Sequence, residues 1–324
     1  MGRAAWAAAP DPLVQRAAWI NAAAPDFATG HAPSVAALLR AQAMLARARF
    51  SPGAVDGRGG SNLAHVVQAY QIARGLPSTG RFDAATWERL LKEPTSARPV
   101  LRVYAITEAD IAGPFAPDVG EDLLKLAALP SGPQYSTVLE ALAARFHMSA
   151  DRLAALNPGV DFRQAGQRIL VVDAAPAPMR KGDVAQVRVS KSVALVAAFD
   201  AKGRLLAVYP ATVGSRDRPS PSGSHTVSSV SMPASYVYDP SRLTWGPRQH
   251  AKFTIKPGPK GPIGTVWIAL DAPSYGIHGS PKAELIGKTA SHGCVRLTNW
   301  DAEHLATGVM RGASVLFTGD RPAV

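Results

Sequence analysis

Cysteine is almost absent from this chain of 324 residues, which contains only one, Cys294. A single cysteine excludes a disulfide within the chain and any zinc site built from several thiolates. Long apolar runs are also missing, since no stretch approaches the roughly 18 residues that a membrane span requires. The first residues lack the compact apolar stretch with a basic flank that marks a signal peptide. Hydrophobic residues make up 47% and charged residues 18%, the balance of a folded globular protein.

Acidic residues are the scarcer charge. The chain has 24 Asp and Glu against 35 Lys and Arg, which gives a formal net charge of +11. From Asp183 onward there are 16 Lys and Arg and 9 Asp and Glu, so +7 of the surplus lies in the C-terminal part. No helix-turn-helix, RNA-binding aromatic pair or zinc-finger spacing accompanies this charge, so nucleic acid is not the expected partner. A polymer with free carboxylates suits a basic surface equally well.

The length and the changing periodicity predict several domains. Residues 1–33 form an Ala/Pro-rich lead-in, and residues 34–95 repeat apolar positions at helical spacing. Residues 98–173 connect to the rest of the chain and contain two helical patterns, an Asn-Pro-Gly turn and a short β-branched strand. A Pro/Ala-rich linker at residues 174–183 precedes residues 184–318, where the periodicity becomes that of β-strands. The expected fold class is α+β with several domains: a helical bundle, a small α/β module and a mostly-β C-terminal domain.

The chemistry-bearing residues cluster around Cys294. A thiol has an unperturbed pKa of about 8.5, so a nucleophilic cysteine needs a base and a neighbouring cation. His278 lies 16 residues upstream and can reach Cys294 across paired strands, and Arg296 supplies the cation. Gly293 allows a sharp turn and a close approach of the backbone to a carbonyl group. Backbone N–H groups at such a turn can face the oxyanion of an acyl-transfer intermediate.

Other interpretations use the same residues. A lone cysteine is more often a small buried hydrophobic side chain, but two histidines and an arginine reverse that preference here. A zinc site of His278, His292 and Cys294 has no evident fourth ligand and no carboxylate base beside it. A sortase-like transpeptidase uses His, Cys and Arg in this order, but the Thr-Leu-x-Thr-Cys sequence of sortases is missing.

A His-Gly pair followed by Ser-His-Gly-Cys-Val-Arg-Leu resembles the catalytic domain of L,D-transpeptidases, the YkuD domain. The resemblance covers about residues 184–318 and includes Pro219 to Gly223 and Gly261 to Gly264. It implies a β-rich enzyme of peptidoglycan in the periplasm or cell wall, with no cofactor and no metal. Cys294 is then the nucleophile and His278 its base, while His292, Gly293 and Cys294 line the oxyanion site. Supporting or substrate-binding roles fall to Arg296, Ser291, Tyr275 and Gly279, and a weaker one to Trp245.

Two further modules precede the linker. Residues 34–92 resemble the peptidoglycan-binding domain type 1 and end in a helix whose expected N-cap is Asp83. The second half of the connecting region resembles a degenerate LysM module that lacks the usual Gly-Asp opening. The residues that carry the first resemblance are Val55-Asp56-Gly57, Val66 to Gln71, and Gly75-Leu76 to Gly80. The residues that carry the second are Leu153, Leu156-Asn157-Pro158, Gly166 and Ile169 to Val172.

The resemblance implies cleavage of the bond between the third residue of a stem tetrapeptide, diaminopimelate, and the terminal D-alanine. The acyl group then passes to an amine and forms a 3→3 cross-link. The expected partners are peptidoglycan stem peptides and glycan. The sequence leaves the acceptor open: water would make a carboxypeptidase, an outer-membrane lipoprotein lysine an anchoring enzyme, and a D-amino acid an exchange enzyme. A non-catalytic wall-binding protein is the other alternative.

Overall fold

The computed structural model describes residues 11–28, 31–241, 246–247 and 251–319. A helical unit, a small α/β unit and a β-rich unit follow one another along the chain, which confirms the predicted α+β fold class. No helix in these ranges is long and apolar enough to cross a membrane.

The helical unit begins within the lead-in. Its amphipathic helices bury their apolar faces in one core, as their three- and four-residue spacing predicts. Each of the first, second and fourth helices starts at a side-chain cap; the predicted cap Asp83 is confirmed, since its carboxylate accepts from the Thr86 N–H at 2.8 Å. The four helices are α1 (Pro12–Ala22), α2 (Val35–Arg47), α3 (Ser61–Ala73) and α4 (Ala84–Leu91).

The connecting region folds as one α/β unit. Its two strands pair antiparallel from Leu101 opposite Val172 to Ala105 opposite Arg168, although more than 60 residues separate them in the chain. The helix at residues 150–156 contacts the second strand, and the helix at residues 138–145 packs on that helix. Residues 106–137, here called the inserted segment, leave the unit between its first strand and those helices. The LysM-like interpretation stays a prediction. In chain order the elements are β1 (Leu101–Ala105), α5 (Glu108–Ala112), α6 (Leu123–Ala128), α7 (Val138–Arg145), α8 (Ala150–Leu156) and β2 (Arg168–Val172).

The β-rich unit is built on an eight-stranded mixed sheet in the order β11-β10-β9-β6-β12-β3-β4-β5. A separate hairpin of β7 and β8 stands beside it, and one helix, α9 (Asn299–Gly308), packs on the sheet. The strands are β3 (Val184–Ser190), β4 (Leu195–Phe199), β5 (Leu205–Pro210), β6 (Gly223–Ser231), β7 (Tyr236–Tyr238), β8 (Phe253–Ile255), β9 (Trp267–Leu270), β10 (Gly276–His278), β11 (Val295–Arg296) and β12 (Val309–Thr318).

Strand β4 shows why the units are fixed against each other. Successive strand residues point to opposite faces of a sheet. Leu195, Ala197 and Phe199 join the core of the helical unit, whereas Val196 and Ala198 join the core of the β-rich unit. The uninterrupted apolar run of this strand therefore reflects burial on both of its faces.

Polar contacts complete that interface. The Ser51 N–H donates to the Val208 carbonyl at 2.9 Å, and the Ser51 hydroxyl donates to the buried Asp301 carboxyl group at 2.9 Å. The predicted linker is also packed against the protein: Met179 is buried, and the Ala177 carbonyl accepts from the His304 ring at 3.1 Å. Residues 174–183 thus hold the domains together and do not act as a free tether.

Candidate active site

Two short parallel strands bring the predicted nucleophile and base together. In β10 and β11, Ile277 pairs with Val295 and His278 pairs with Arg296. Cys294 lies in the bend directly before β11, two residues from Arg296. The alternation of the strand, extended by one residue, turns its side chain to the face of Arg296 and His278. The Cys294 thiol donates to the Ser274 carbonyl at 3.5 Å. Within the described ranges no hydrogen bond joins Cys294 to His278 directly.

His278 is held in one tautomer. Its Nδ1 lies 2.7 Å from the Gly279 carbonyl oxygen, which can only accept, so Nδ1 carries the proton and Nε2 keeps its lone pair. The ring is 4% exposed and stacks on Trp267 at 5.6 Å between centroids. Burial lowers the pKa of His278 to about 4, against the effect of the Gly279 hydrogen bond and with a smaller contribution from the Arg296 charge. The side chain is therefore a neutral base at physiological pH.

Cys294 rests as a thiol. Burial raises the pKa of Cys294, although a hydrogen bond from the Gly276 backbone and the charge of Arg296 act in the opposite direction. A raised thiol pKa beside a lowered imidazole pKa disfavours a standing thiolate–imidazolium pair. The proton must therefore leave the sulfur during the attack itself, when a base can receive it.

The loop before Cys294 is shaped by Ser291. The Ser291 hydroxyl donates to the Cys294 carbonyl and accepts from the Gly293 N–H at 3.1 Å. Gly293 has a φ of 120°, a region that favours glycine, and a Cβ there would lie 2.8 Å from the Tyr275 ring. In the free protein the Gly293 N–H is bonded to Ser291, and the expectation that Gly293 lines the oxyanion site stays a prediction. Gly293 contributes the sharp turn and the space for Tyr275.

Gly279 has a different task. Its carbonyl orients His278, its N–H donates to the Val266 carbonyl at 3.3 Å, and a Cβ on it would collide with the Asn299 side-chain oxygen. The tight junction of β10 with α9 therefore requires glycine. Trp245, the weaker groove candidate, lies outside the described residues.

A cavity of about 740 Å³ opens beside Arg296 of β11, and neither Cys294 nor His278 is among the described residues that line it. His292 and Arg296 line it. The Arg296 guanidinium makes no hydrogen bond or ion pair with any side chain in the described part of the protein. Burial, Arg218 and Arg296 lower the pKa of His292, which leaves Arg296 as the main positive charge of the loop. Nowhere in the described ranges are three or more His, Cys, Asp or Glu side chains grouped to hold a metal ion.

Sequence reasoning missed three side chains at this site. The Tyr236 hydroxyl is buried and has no hydrogen-bond partner in the described part of the chain. Burial, together with the negative charge that Cys294 carries once ionised, raises the pKa of Tyr236. Lys282 and Glu121 line the cavity and form an ion pair of 2.7 Å. Tyr236 stands in a short strand with no motif, and Glu121 lies in a part of the connecting region without clear periodicity. The one signal in the sequence for Lys282 was its place in the segment between His278 and Cys294, which also holds Lys288.

Two regions of the chain match known protein families. Residues 184–316 match the L,D-transpeptidase catalytic domain, YkuD, and residues 34–90 match the family described as "Putative peptidoglycan binding domain". Over 186 residues the chain is 31% identical to "Putative L,D-transpeptidase YkuD" of Bacillus licheniformis, covering 56% of this chain and 93% of that protein. The chain belongs to the L,D-transpeptidase family.

Two further similarities extend the comparison. The chain is 29% identical over 223 residues to "Probable L,D-transpeptidase ErfK/SrfK" of Salmonella typhimurium, covering 65% of this chain and 69% of that protein. Among solved structures, L,D-transpeptidase 3 from Mycobacterium tuberculosis aligns with 48% of this chain and 72% of its own, at 18% identity and a TM-score of 0.35.

Proposed function

We propose that this protein is a cysteine-dependent peptidoglycan L,D-transpeptidase, with Cys294 as nucleophile and His278 as general base. The observation that carries the proposal is the neutral His278 ring, fixed by the Gly279 carbonyl with its Nε2 lone pair available, on the same sheet face as the Cys294 thiol. The donor is a stem tetrapeptide, and the bond cleaved is that between diaminopimelate and the terminal D-alanine.

In the first step, Nε2 of His278 takes the thiol proton as the sulfur attacks the carbonyl carbon. A C–S bond forms and the carbonyl electrons move to the oxygen. Backbone N–H groups of the loop that ends at Cys294 and the unpartnered Tyr236 hydroxyl stabilise that oxyanion. When the intermediate collapses, the C–N bond breaks and D-alanine leaves with the proton from His278.

In the second step, an amine attacks the thioester. His278 takes a proton from the amine, the C–S bond breaks, and the thiolate of Cys294 regains a proton. Attack by the side-chain amine of a second stem peptide gives a 3→3 cross-link. One covalent intermediate between two half-reactions predicts ping-pong kinetics.

Arg296 is proposed to bind a carboxylate of the substrate. Its guanidinium lines the cavity and has no carboxylate within ion-pair distance among the residues described, so its charge is available to a ligand. Arginine suits this task because its planar fork can donate two parallel hydrogen bonds to one carboxylate.

The helical unit supports an action at the cell wall. A peptidoglycan-binding domain rigidly packed on a catalytic unit would present bound polymer to the cavity at a fixed distance, because Ser51 and β4 lock the two units together. Peptidoglycan lies outside the cytoplasm, so we place the working protein in an extracytoplasmic compartment.

A carbapenem tests the nucleophile, because a nucleophilic cysteine attacks the β-lactam carbonyl, opens the ring and stays covalently acylated. Intact-mass spectrometry should show one adduct on the wild-type protein and none on Cys294→Ala. Ser274→Ala, which keeps the thiol and the Ser274 carbonyl, serves as the matched control and should give the wild-type adduct. The absence of an adduct on the wild type, or an equal adduct on Cys294→Ala, would refute the assignment.

A further inference from the structure

The inserted segment closes one side of the cavity that His292 and Arg296 line. It belongs to the small α/β unit and lies outside both matched family regions, residues 34–90 and 184–316. Asp118, Glu121, Leu123 and Leu126 of this segment nevertheless line the cavity, opposite Lys282 and Arg296. The pocket of the catalytic unit is thus completed by an earlier part of the chain, in which Glu121 precedes its partner Lys282 by 161 residues.

The inserted segment is built into this position. Its apolar side chains share a buried cluster with the β7–β8 hairpin, which also carries Tyr236. The Lys260 N–H donates to the Pro133 carbonyl at 2.9 Å, and a Cβ on Gly132 would lie 2.6 Å from the Pro257 carbonyl. The cluster consists of Ala116, Leu123, Leu126, Leu129, Tyr238 and Ile255.

Charges of both signs meet where the inserted segment faces the catalytic loop. Glu121 pairs with Lys282 at 2.7 Å, and the Lys282 hydrogen bond and charge, with smaller contributions from Arg296 and His292, lower the pKa of Glu121. The two paired side chains are 75% and 46% exposed. Such an exposed pair contributes little to stability, so a ligand can share both partners at small cost. Arg296 beside them has no partner of its own in the described ranges.

We propose that Glu121 and Lys282 form a subsite for a zwitterionic amino-acid group, that is, an ammonium and a carboxylate on one carbon. The ammonium lies against Glu121 and the carboxylate against Lys282 and Arg296, so that charges of opposite sign alternate around the cavity wall. This assignment rests on the proposed function and deepens it. Within that function two groups have this chemistry: the side-chain end of the donor's third residue and a free amino-acid acceptor.

Binding to the full-length Cys294→Ala protein tests the subsite without any need for turnover. Calorimetry would compare a tetrapeptide with diaminopimelate at position three and the same peptide with lysine there, which keeps the ammonium and loses the carboxylate. We expect the first peptide to bind about tenfold more tightly and Lys282→Gln to remove that preference, because Lys282 faces the carboxylate that only this peptide has. Glu121→Gln should instead weaken the binding of both peptides alike, since both keep the ammonium. Glu88→Gln, an exposed carboxylate on α4 outside the cavity, is the matched control and should preserve the preference.

The charge-swapped protein, Glu121→Lys with Lys282→Glu, separates recognition from support. It restores the ion pair but reverses the subsite, so the preference should stay lost. A swap that restores the preference would show that the pair only holds the inserted segment, and equal binding of the two peptides to the Cys294→Ala protein would also overturn the proposal for the donor.

The acceptor arm measures KM for a D-amino acid and for its amide in exchange by the wild type and Lys282→Gln. A rise in KM for the acid alone assigns the subsite to the acceptor, and loss of the peptide preference alone assigns it to the donor. No effect in either arm overturns the proposal. Failure of the proposed function has a separate signature, namely no D-alanine release and no carbapenem adduct on the wild type.

Discussion

Two polar side chains, Gln71 of the helical unit and Tyr236 of the β-rich unit, differ in how far their hydrogen-bonding groups are satisfied. In the helical unit, the Gln71 amide donates to Thr79, Thr86 and the Arg81 carbonyl, and its oxygen accepts from the Gly80 N–H. In the β-rich unit, neither the buried Tyr236 hydroxyl nor the cavity-facing Arg296 guanidinium has a side-chain partner among the residues that the structure describes.

Arg47 makes the contrast sharper. This fully buried guanidinium donates to the carbonyls of Arg98, Pro99 and Asp173 and lies 3.0 Å from the Asp173 carboxylate. An unmade hydrogen bond costs stability, so such satisfied groups belong to the framework. Groups left unsatisfied beside a reactive thiol lower stability in the free protein and are retained where a substrate satisfies them.

The sequence could predict the features that short stretches of chain encode, but not those that depend on distant packing. The helices, the Asp83 cap, the change to β-structure and the residues around Cys294 are encoded over short distances, by periodicity and by one motif. The pairing of Glu121 with Lys282 depends on how the inserted segment folds back onto a hairpin far along the chain, which no local pattern reports. The burial of Tyr236 and the occupied Gly293 N–H likewise depend on packing and side-chain geometry.

The largest expected effect concerns His278, the proposed general base. His278→Gln should lower kcat/KM for D-alanine release by roughly a thousandfold, because general-base assistance is lost. In the wild type, kcat/KM should fall as the pH drops through about 4, since protonation of His278 removes the base. His31→Gln, an exposed histidine, is the control. Retention of more than a tenth of the activity by His278→Gln would break the assignment.

Arg47 tests whether a buried side chain with all of its hydrogen bonds made stabilises the fold. Arg47→Met should lower the free energy of unfolding by about 3 kcal/mol, because four carbonyls, that of Thr95 included, and a carboxylate lose their buried partner. Denaturant titration measures this change, and the folded variant should keep wild-type kcat/KM. Arg81→Met, at an exposed arginine, should stay within about 0.5 kcal/mol of the wild type. Equal stability of Arg47→Met and wild type would contradict the framework role.

Tyr236 should separate activity from stability. Tyr236→Phe removes a buried hydroxyl without a partner, so stability should stay equal or rise slightly. The loss of an oxyanion donor should lower kcat about tenfold. Parallel kinetics and thermal melts check both parts. Lower stability with unchanged kcat would show that the hydroxyl supports the fold instead.

The smallest effect concerns Asp301 at the interface of the two units. Burial raises the pKa of Asp301 to about 7, above its unfolded value, so its contribution is present at low pH and is lost as the pH rises through about 7. Relative to Asp301→Asn, the wild type should lose about 1.4 kcal/mol between pH 6 and 8. Comparing the two proteins cancels the opposite contribution of His147, His278 and His304, whose pKa values burial lowers to about 4. A pH-independent difference would contradict the raised pKa.

The proposed Cys294-dependent cross-linking is tested most directly by its products. The reduced protein is incubated with disaccharide tetrapeptide, and the muropeptides are resolved by liquid chromatography and mass spectrometry. We expect release of D-alanine and a new 3→3 cross-linked dimer, both absent with Cys294→Ala. Unchanged muropeptides from a folded protein whose Cys294 still reacts with an alkylating reagent would contradict it.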